Sequence, residues 1–308
     1  SSSSSKVDLS VSLFQQEFRS PITTASGTFG FGQEYAAFND YRDLGALTVK
    51  GITPEPRLGN PGQRLIETPA GLINSVGLMN PGMKVFVEEE MPRLRTMNTP
   101  VFVNINGKSV EEYAEITAFL ENVPGIDALE VNISCPNVKE GGMAFGTKIE
   151  TATAAVRAER RETSRPVIVK LSPNVTDIAE MARAVESEGA NAISLINTLL
   201  AMDIDIQSRK PILANTFGGL SGPAVRPIAL RMVYQVYEAV QVPVIGMGGI
   251  SDWQDALKFI LAGASMIALG TVHFVHPDSI HRVSAGMEDW CQRNGVAKIR
   301  DLIGAAHQ

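Results

Sequence analysis

The stretch VPVIGMGGISDWQDALKFILAGASMIALGT (242–271) contains two short apolar segments separated by an amphipathic pattern. VPVIGMGG (242–249) and SMIALGT (265–271) have the length of strands, and SDWQDALKFILAG (251–263) has the spacing of a helix that Ser251 caps and a glycine ends. Parallel strands need such a crossover, because the chain must return to the same end of the sheet. The stretch therefore predicts a parallel β-α-β unit.

Six similar segments precede this unit, with helical stretches headed by Ser109 and Thr176 among the connections. They are PITTAS (21–26), ALTVKG (46–51), VFVNING (101–107), ALEVNISC (128–135), VIVKLSP (167–173) and AISLINT (192–198). Eight parallel strands favour a closed TIM (β/α)8 barrel over an open sheet. Residues 52–79 and 199–222 break the rhythm after the second and sixth strands, and we expect both to be insertions at the face that carries a barrel's active site.

The length of 308 residues, with 44% hydrophobic content, suits one barrel of about 250 residues with insertions. We expect residues 7–308 to form this single domain and residues 1–6 to be a disordered lead-in. The alternating VDLSVSLF within residues 7–20 predicts a hairpin that caps the floor of the barrel.

The composition excludes several classes of function. A net charge of −6 without a basic run disfavours nucleic-acid binding. Apolar runs are far shorter than the roughly 20 residues of a membrane helix, and the first residues lack a secretory signal's apolar core, so we expect a cytoplasmic protein without a membrane span. The two cysteines, Cys135 and Cys291, are too few for a disulfide framework or a metal site, and Cys291 is expected to be a buried structural thiol.

Polar side chains interrupt strands that should be apolar on both faces, always near the C-terminal end. They are Lys50, Asn104, Asn106, Asn132, Lys170 and Asn197. Because an unpartnered buried amide or ammonium costs several kcal/mol, these groups predict a polar ligand at that mouth of the barrel. The alternative is that they satisfy one another, with Glu130 pairing with a lysine.

The residue types indicate the kind of ligand. Asparagine offers a donor beside an acceptor, which matches the N–H and C=O edge of a pyrimidine or an isoalloxazine ring, and lysine balances negative charge. GMGGI (246–250) and LGT (269–271) follow strands seven and eight, where barrels commonly bind phosphate. Glycine lets backbone N–H groups approach a phosphate closely, although it also makes ordinary turns.

Cys135 lies in NISCPNVKEGGMAFG, where a strand ends and Pro136 prevents its continuation. The glycines at 141, 142 and 146 would let the following loop move as a lid. A thiol with a pKa near 8.5 is partly ionised at neutral pH. We therefore expect a catalytic base at Cys135, against the alternative of an inert buried thiol.

The chain resembles the class 1 dihydroorotate dehydrogenases, and closely their class 1B catalytic subunit. The motifs that carry the resemblance run in order through residues 25–271. They are ASGTFGFGQEY, VKGITPEPRLGNPGQR, GLINSVGLMNPG, NISCPNVKEGGMAFGT, VKLSPN, INTLL, GGLSGP, GMGGI and LGT.

The resemblance implies three sets of site residues. The catalytic set is Cys135, Lys50 and Lys170. The FMN set is Ser26, Lys50, Gly51, Asn104, Asn132, Lys170, Ile196, Gly222, Gly248, Gly249, Gly270 and Thr271. The substrate set is Lys50, Asn74, Ser75, Val76, Gly77, Leu78, Asn132, Asn137, Asn197 and Thr198.

The resemblance also implies the reaction, the oxidation of (S)-dihydroorotate to orotate in pyrimidine (UMP) biosynthesis. Cys135 would remove the proton from C5 while hydride passes from C6 to N5 of FMN. Electrons would leave through a separate subunit carrying FAD and a [2Fe-2S] cluster and reach NAD⁺, in a heterotetramer built on a homodimer core.

Four alternatives stay open on the sequence. A class 1A-like homodimer would pass electrons to fumarate instead, and a flavin barrel of another kind would act on uracil or on a tRNA dihydrouridine. A colourless protein would favour an aldolase barrel in which Lys50 or Lys170 forms a Schiff base. A barrel that only scaffolds an electron-transfer partner would hold flavin that substrate does not bleach.

Overall fold

The barrel strands follow one another around a single sheet in the computed structural model, which describes residues 6–25, 41–75, 77–134, 144–270 and 278–307. The order is β3 (Ile22–Thr24), β16 (Ala264–Leu269), β15 (Val244–Met247), β10 (Ala192–Leu195), β9 (Val167–Lys170), β8 (Ala128–Asn132), β7 (Val101–Ile105) and β4 (Leu47–Ile52). Every pairing between these neighbours is parallel. The predicted TIM barrel is confirmed. Six of the predicted segments contain their strand, whereas β4 and β16 each extend one residue beyond theirs, at Ile52 and Ala264.

Helices cover the outside of the barrel. They are α1 (Met83–Val85), a π-helical turn (Phe86–Glu90), α2 (Met91–Thr96), α3 (Val110–Leu120), α4 (Ile149–Glu162), α5 (Ile178–Ser187), α6 (Arg226–Ala239), α7 (Trp253–Ala262) and α8 (Ser279–Arg293). Short 3-10 turns lie at Tyr41–Asp43, Phe145–Thr147, Pro223–Val225 and Ile299–Leu302.

The helix caps correct two of the three sequence predictions. Ser109 caps α3 as expected, since its side chain accepts a hydrogen bond from Glu112 N. Thr176 and Ser251 were the wrong residues, because the caps are Asp177 for α5 and Asp252 for α7. In each case the aspartate one position later accepts from the third residue of the helix, where a carboxylate also interacts favourably with the helix dipole.

The seam between β3 and β4 is closed largely by side chains. Gly45 N donates to Ile22 O at 2.8 Å before β4 begins. Further along, the Thr24 hydroxyl accepts from Thr48 N at 3.1 Å and donates to Thr48 O at 3.0 Å. The Thr24 hydroxyl therefore takes the place of a neighbouring strand's N–H and C=O.

The floor of the barrel is plugged by the predicted hairpin, β1 (Val11–Leu13) and β2 (Gln16–Phe18). Phe14 and Phe18 place their ring centroids 6.1 and 5.7 Å from that of Phe102, near the start of β7, in edge-to-face contact. Aromatic rings therefore fill this end of the barrel, and among the described residues the opposite, C-terminal mouth is the end that carries the predicted polar site.

The two insertions pair with each other. Strands β5 (Leu65–Thr68) and β6 (Gly71–Asn74) from the first join β11 (Leu199–Ala201) and β14 (Gly218–Ser221) from the second in an antiparallel sheet of order β11-β14-β6-β5. A further hairpin pairs β12 (Ile204–Asp205) with β13 (Lys210–Pro211). A small core of Ile66, Ile73 and Leu213 lies beneath this sheet, separate from the main core.

The structure also bears on Cys291, on membrane-spanning helices and on metal-binding clusters. Cys291 is a free, buried thiol as predicted, and burial raises its pKa. Among the described helices, none has the length and apolarity to cross a bilayer. The described residues also contain no cluster of three or more His, Cys, Asp or Glu side chains suited to a metal ion.

Replacing Thr24 with valine should open the seam of the barrel. We expect a loss of about 2 kcal/mol in the free energy of unfolding, because the buried N–H and C=O of Thr48 both lose a partner. Thr117→Val is the matched control, since the Thr117 hydroxyl is equally buried but only donates to a carbonyl within its own helix. If urea unfolding showed that both variants lose the same free energy of unfolding, the proposed role of Thr24 would be contradicted.

Replacing Glu159 with glutamine should change how stability depends on pH. Both carboxyl oxygens of Glu159 are buried and form no hydrogen bond with the described residues. Burial raises the carboxyl's pKa well above its usual range, and the charge of Arg160 offsets this only in part. The contribution of Glu159 to stability is then greatest below its unfolded-state pKa of about 4.3 and falls as pH rises toward its raised folded-state pKa, by up to about 1.4 kcal/mol per pH unit.

Urea unfolding across this pH range should therefore show Glu159→Gln gaining stability relative to the wild type as pH rises. Glu162→Gln is the control, because that side chain is exposed at the end of the same helix. A pH-independent difference for Glu159→Gln would show that its carboxyl is ionised in the folded protein.

Candidate active site

The polar strand-end residues point into the barrel at one mouth. Asn132 on β8 is paired with Lys170 on β9, and Lys170 is paired with Ser194 on β10. Paired residues of neighbouring strands present their side chains on the same face of a sheet. Asn104 on β7 is likewise paired with Glu130 on β8, so these side chains from four strands share the lumen.

Glu130 is the centre of a buried hydrogen-bond network. Its carboxylate accepts from Asn104 Nδ2 at 2.7 Å and from Ser194 Oγ at 2.9 Å, and Asn104 Oδ1 accepts from Asn106 Nδ2 at 3.0 Å. Glu130, Asn104 and Asn106 are all buried. Because a carboxylate only accepts, it determines which end of the Asn104 amide faces it, and through Asn104 it orients Asn106.

Asn132 and Asn197 form a second, half-buried pair of amides. Asn132 Oδ1 accepts from Ser134 N at 3.0 Å and from Asn197 Nδ2 at 2.9 Å, while Asn197 Oδ1 accepts from Thr198 N at 2.9 Å. A backbone N–H can only donate, so both amide oxygens are identified and both are occupied. The remaining side-chain N–H groups of Asn132 and Asn197 form no hydrogen bond with the described residues and can donate to a ligand.

Lys170 has no hydrogen bond or ion pair with any residue that the structure describes, although it is only 6% exposed. Lys170 is paired with Asn132 and lies two residues beyond Ile168, which is paired with Glu130, so it is on the mouth side of the Glu130 network. A buried ammonium without a protein partner is costly unless a ligand supplies negative charge. This residue is the strongest local sign that the mouth holds an anionic or electron-rich group.

Lys50 and Gly51 bring β4 into the same site. Lys50 is half-buried near the end of β4, on the strand that is paired with β7. A Cβ at Gly51 would lie 2.3 Å from Asn106 Nδ2 and 3.0 Å from Asn104 Oδ1. Glycine at this position therefore leaves room for the Asn104–Asn106 amides.

The sheet made by the insertions carries Asn74 to the second amide pair. Gly219 on β14 is paired with Asn74 at the end of β6, and a Cβ at Gly219 would overlap the Thr198 side chain. Asn174 reinforces this contact, since its Nδ2 donates to Thr198 O at 3.3 Å and its Oδ1 accepts from Leu200 N at 3.1 Å. Asn74, Asn197 and Thr198 thus converge from two distant parts of the chain.

Asn60 contacts two further residues of the predicted substrate set, Ser75 and Gly77. Asn60 Nδ2 donates to both the carbonyl and the hydroxyl of Ser75 at 3.0 Å, and Gly77 packs against the Asn60 side chain with a φ of 78°. Leu78 has a φ of 57°, a left-handed conformation that is unusual and strained for leucine. Ser75, Gly77 and Leu78 are therefore held in specific conformations.

A second cluster, of glycines, lies at the ends of β14 and β15. Gly222, Gly248 and Gly249 have φ values of 101°, 126° and 72°, which favour glycine. A Cβ at Gly249 would lie 2.6 Å from Gly222 O, and one at Gly248 would lie 3.3 Å from Ile196 Cγ1. These predicted cofactor residues therefore meet at one place, and Gly270 follows the end of the neighbouring strand β16.

Several predicted residues lie outside the described part of the chain. They are Ser26, Val76, Cys135, Asn137 and Thr271. Ser134, immediately before Cys135, is described, and its buried hydroxyl has no hydrogen-bond partner among the described residues. Ser221, immediately before Gly222, has a buried hydroxyl that likewise lacks a partner in the part of the chain that the structure describes. Orphaned polar atoms beside both clusters fit a ligand that contacts each of them.

Sequence reasoning missed Ser194, Asn174, Asn60, Ser134 and Ser221. Ser194 and Ser134 could have been found by extending the search for polar residues in buried strands to serine. Asn60 and Asn174 act on the backbone of other loops, and no pattern in the sequence indicates these partners.

Some of the amides hydrogen-bond to one another, which agrees in part with the alternative that the polar groups at the strand ends pair among themselves. Glu130, however, pairs with Asn104 and Ser194 rather than with a lysine. The remaining amide donors, the buried Lys170 and the positive-φ glycines together suit FMN, which has a ring with alternating N–H and C=O groups and a phosphate.

Comparison with known proteins agrees with this chemistry. A family model described as dihydroorotate dehydrogenase matches residues 8–290. A protein of Desulforamulus reducens named dihydroorotate dehydrogenase B (NAD(+)), catalytic subunit, is 55% identical over 98% of this chain and 99% of its own length. A protein of the same name from Pelobacter propionicus is 53% identical over 97% of this chain and 99% of its own length.

The fold also has a solved counterpart. A crystal structure of DHODH from Eimeria tenella in complex with ferulenol superposes with a TM-score of 0.78, covering 98% of this chain and 89% of that one, at 24% identity. At this identity the likeness concerns the fold alone. The family model and the two bacterial relatives span nearly the whole chain, and on that basis the protein belongs to the dihydroorotate dehydrogenase family.

Proposed function

We propose that this chain oxidises dihydroorotate to orotate with bound FMN, as a step of pyrimidine biosynthesis. The observation that carries the proposal is the buried Lys170 ammonium, which has no partner among the described residues and lies among oriented amide donors. The names of the bacterial relatives supply the substrate, and the donors at the mouth suit its carboxylate and ring carbonyls.

The FMN ring would lie against Lys50, Gly51, Asn104, Asn132 and Lys170, with Ser26 from outside the described residues. Its phosphate would be held by backbone N–H groups at Gly222, Gly248, Gly249, Gly270 and Thr271, with Ile196 packed beside them. When bound, FMN supplies an acceptor for the hydride that leaves the substrate. The residues of the chain would hold that ring and the substrate in contact, remove the substrate's proton and stabilise negative charge.

The substrate would be oriented by the second amide pair. Asn132 and Asn197 have their oxygens occupied by protein donors, so each offers N–H groups to a carbonyl or carboxylate oxygen. Asn74 and Thr198 approach from the insertion sheet, and Ser75 to Leu78 and Asn137 would complete the enclosure. Donors fixed before binding lose little entropy when the substrate arrives, which favours reaction.

Cys135 would take the proton from C5 of the substrate through its Sγ. It follows the end of β8 by three residues, and the Ser134 N–H bond to Asn132 Oδ1 shapes the chain just before it. In the sequence the base would thus lie three residues after Asn132, an amide that would bind the substrate. Proton removal beside a fixed substrate is the step in which a positioned base gives a large rate advantage.

Lys170 and Lys50 would stabilise negative charge. Charge interactions are stronger in a buried site than in water, so an ammonium that is already desolvated acts efficiently. Lys170 is buried and Lys50 half-buried, so the Lys170 side chain is the more desolvated of the two.

We further propose that electrons leave through a partner subunit that carries FAD and a [2Fe-2S] cluster and reduces NAD⁺, in an assembly built on a homodimer. The relatives' names, which include NAD(+) and "catalytic subunit", support this route. Exposed apolar side chains support assembly, since eight of the eleven large ones among the described residues lie on the two insertions. They are Leu58, Leu65, Met79, Leu200, Met202, Ile204, Ile206 and Phe217.

The purified protein should show a flavin absorbance spectrum that dihydroorotate bleaches in the absence of oxygen. Cys135→Ala should retain FMN but bleach at least about 100-fold more slowly, because the positioned base is lost. Cys291→Ala is the control, since that thiol is buried in α8 and should leave the rate unchanged.

Cys135→Ser extends the same experiment. We expect partial activity that rises with pH, since a hydroxyl is a far weaker acid than a thiol. Normal bleaching by Cys135→Ala would reject the base, and failure of dihydroorotate to bleach the wild type would reject the proposed function.

Replacing Lys170 with alanine should weaken FMN binding or slow flavin reduction by about tenfold or more, because a buried charge interaction is lost. Lys258→Ala on the exposed side of α7 is the control. Flavin occupancy measured by absorbance, together with stopped-flow reduction, checks this. Full occupancy with an unchanged rate would remove Lys170 from the site.

A further inference from the structure

An ion pair lies behind the glycine cluster. Arg226, the first residue of α6, donates from Nη1 to Asp255 Oδ1 at 2.8 Å. Asp255 lies in the first turn of α7 and is only 2% exposed, and its second oxygen accepts from Ser251 N at 3.0 Å. The pair therefore ties the start of α6 to the turn between β15 and α7, which we call the glycine turn (248–252).

The pair is in direct contact with the glycines proposed to hold phosphate. A Cβ at Gly249 would lie 2.9 Å from Arg226 Cβ and 2.6 Å from Gly222 O. Gly222 O in turn accepts from Val225 N at 3.1 Å, just before Arg226. Any shift of Arg226 relative to Asp255 would therefore change how Gly222 and Gly249 face each other.

The charge of the neighbouring Asp255 explains why residue 226 is an arginine. A cation at the N-terminus of a helix is unfavourable, and Arg226 has that position in α6, so local helix stability does not account for it. Asp255 is a buried carboxylate beside a proposed anion site, where its own charge would repel a phosphate. Arg226 cancels that charge while leaving the aspartate free to hold the glycine turn.

We propose that Arg226 and Asp255 are positioning residues for the cofactor phosphate. Asp255 holds the glycine turn through Ser251 N, and Arg226 neutralises Asp255 and fixes the distance between Gly222 and Gly249. Neither side chain needs to touch the phosphate. The proposal rests on the proposed function, because it assumes that FMN binds with its phosphate at these glycines.

The test compares FMN with riboflavin, which has the same ring but no phosphate. Dissociation constants are measured for the flavin-free protein by fluorescence quenching, and urea unfolding of that protein reports stability. Arg226→Met should weaken FMN binding by about tenfold or more and leave riboflavin binding within about twofold, since only the phosphate meets the unmasked carboxylate. Arg226→Lys, which keeps the charge, should stay near the wild type.

Two further variants complete the design. Arg226→Met combined with Asp255→Asn should recover part of the preference for FMN, because the unpaired charge is gone. Arg300→Met is the matched control, since Arg300 forms a 3.2 Å ion pair with Asp8 beside the barrel floor at similar exposure. Should Arg226→Met not fold, Arg226→Gln gives the same comparison.

The outcomes separate the two proposals. An unchanged ratio of riboflavin to FMN dissociation constants in Arg226→Met, whether both affinities fall or neither does, would overturn the positioning role. A double variant that binds FMN as weakly as Arg226→Met would overturn the neutralising role of Arg226. A wild-type protein that shows no preference for FMN over riboflavin would overturn the phosphate site and the inference with it.

Discussion

The buried Glu130 carboxylate is the constraint on which the site depends. It lies inside a closed barrel, and among the described residues its hydrogen bonds come from the neutral donors Asn104 and Ser194. A carboxylate cannot donate, so every amide bonded to it has one allowed orientation, which is passed on to Asn106. Rearranging this network would leave buried polar atoms without partners, which is costly. The mouth above it is therefore polar, rigid and directional before any ligand binds.

The mouth divides into two chemical regions because its strands end differently. Strands β4 and β7 to β9 carry lysine and amide side chains at or near their C-terminal ends, and Asn197 adds a further amide just after β10. Strands β15 and β16 are instead followed by glycines, which expose backbone. Side chains discriminate a ring by its hydrogen-bonding edge, and bare backbone N–H groups suit a phosphate. A ligand with a polar ring at one end and a phosphate at the other matches this division. The Arg226–Asp255 pair lies on the glycine side, so we expect it to affect binding of the phosphate and not of the ring.

The insertions link the site to assembly. Their shared sheet brings Asn74 to Thr198 through Gly219, so the enclosure of the substrate depends on pairing between segments more than 100 residues apart in sequence. The same two insertions carry most of the exposed large apolar side chains among the described residues. A partner chain that covers this surface would stabilise the sheet and, through it, the arrangement of the substrate residues.

The eight strands, the barrel, the hairpin at its floor and the polar mouth could all be predicted from the amino-acid sequence, because period, strand length and misplaced polar residues are local properties. The sequence also indicated Lys170, the amides and the glycines after β15 and β16, since a lysine in a strand buried on both faces has few explanations. Four features became visible only in the folded chain. They are the pairing of the two insertions, the closure of the seam by Thr24, the choice of Asn104 and Ser194 as partners for Glu130, and the Arg226–Asp255 contact. These features depend on which atoms from distant parts of the chain come within hydrogen-bond distance. No periodic pattern in the sequence indicates such contacts.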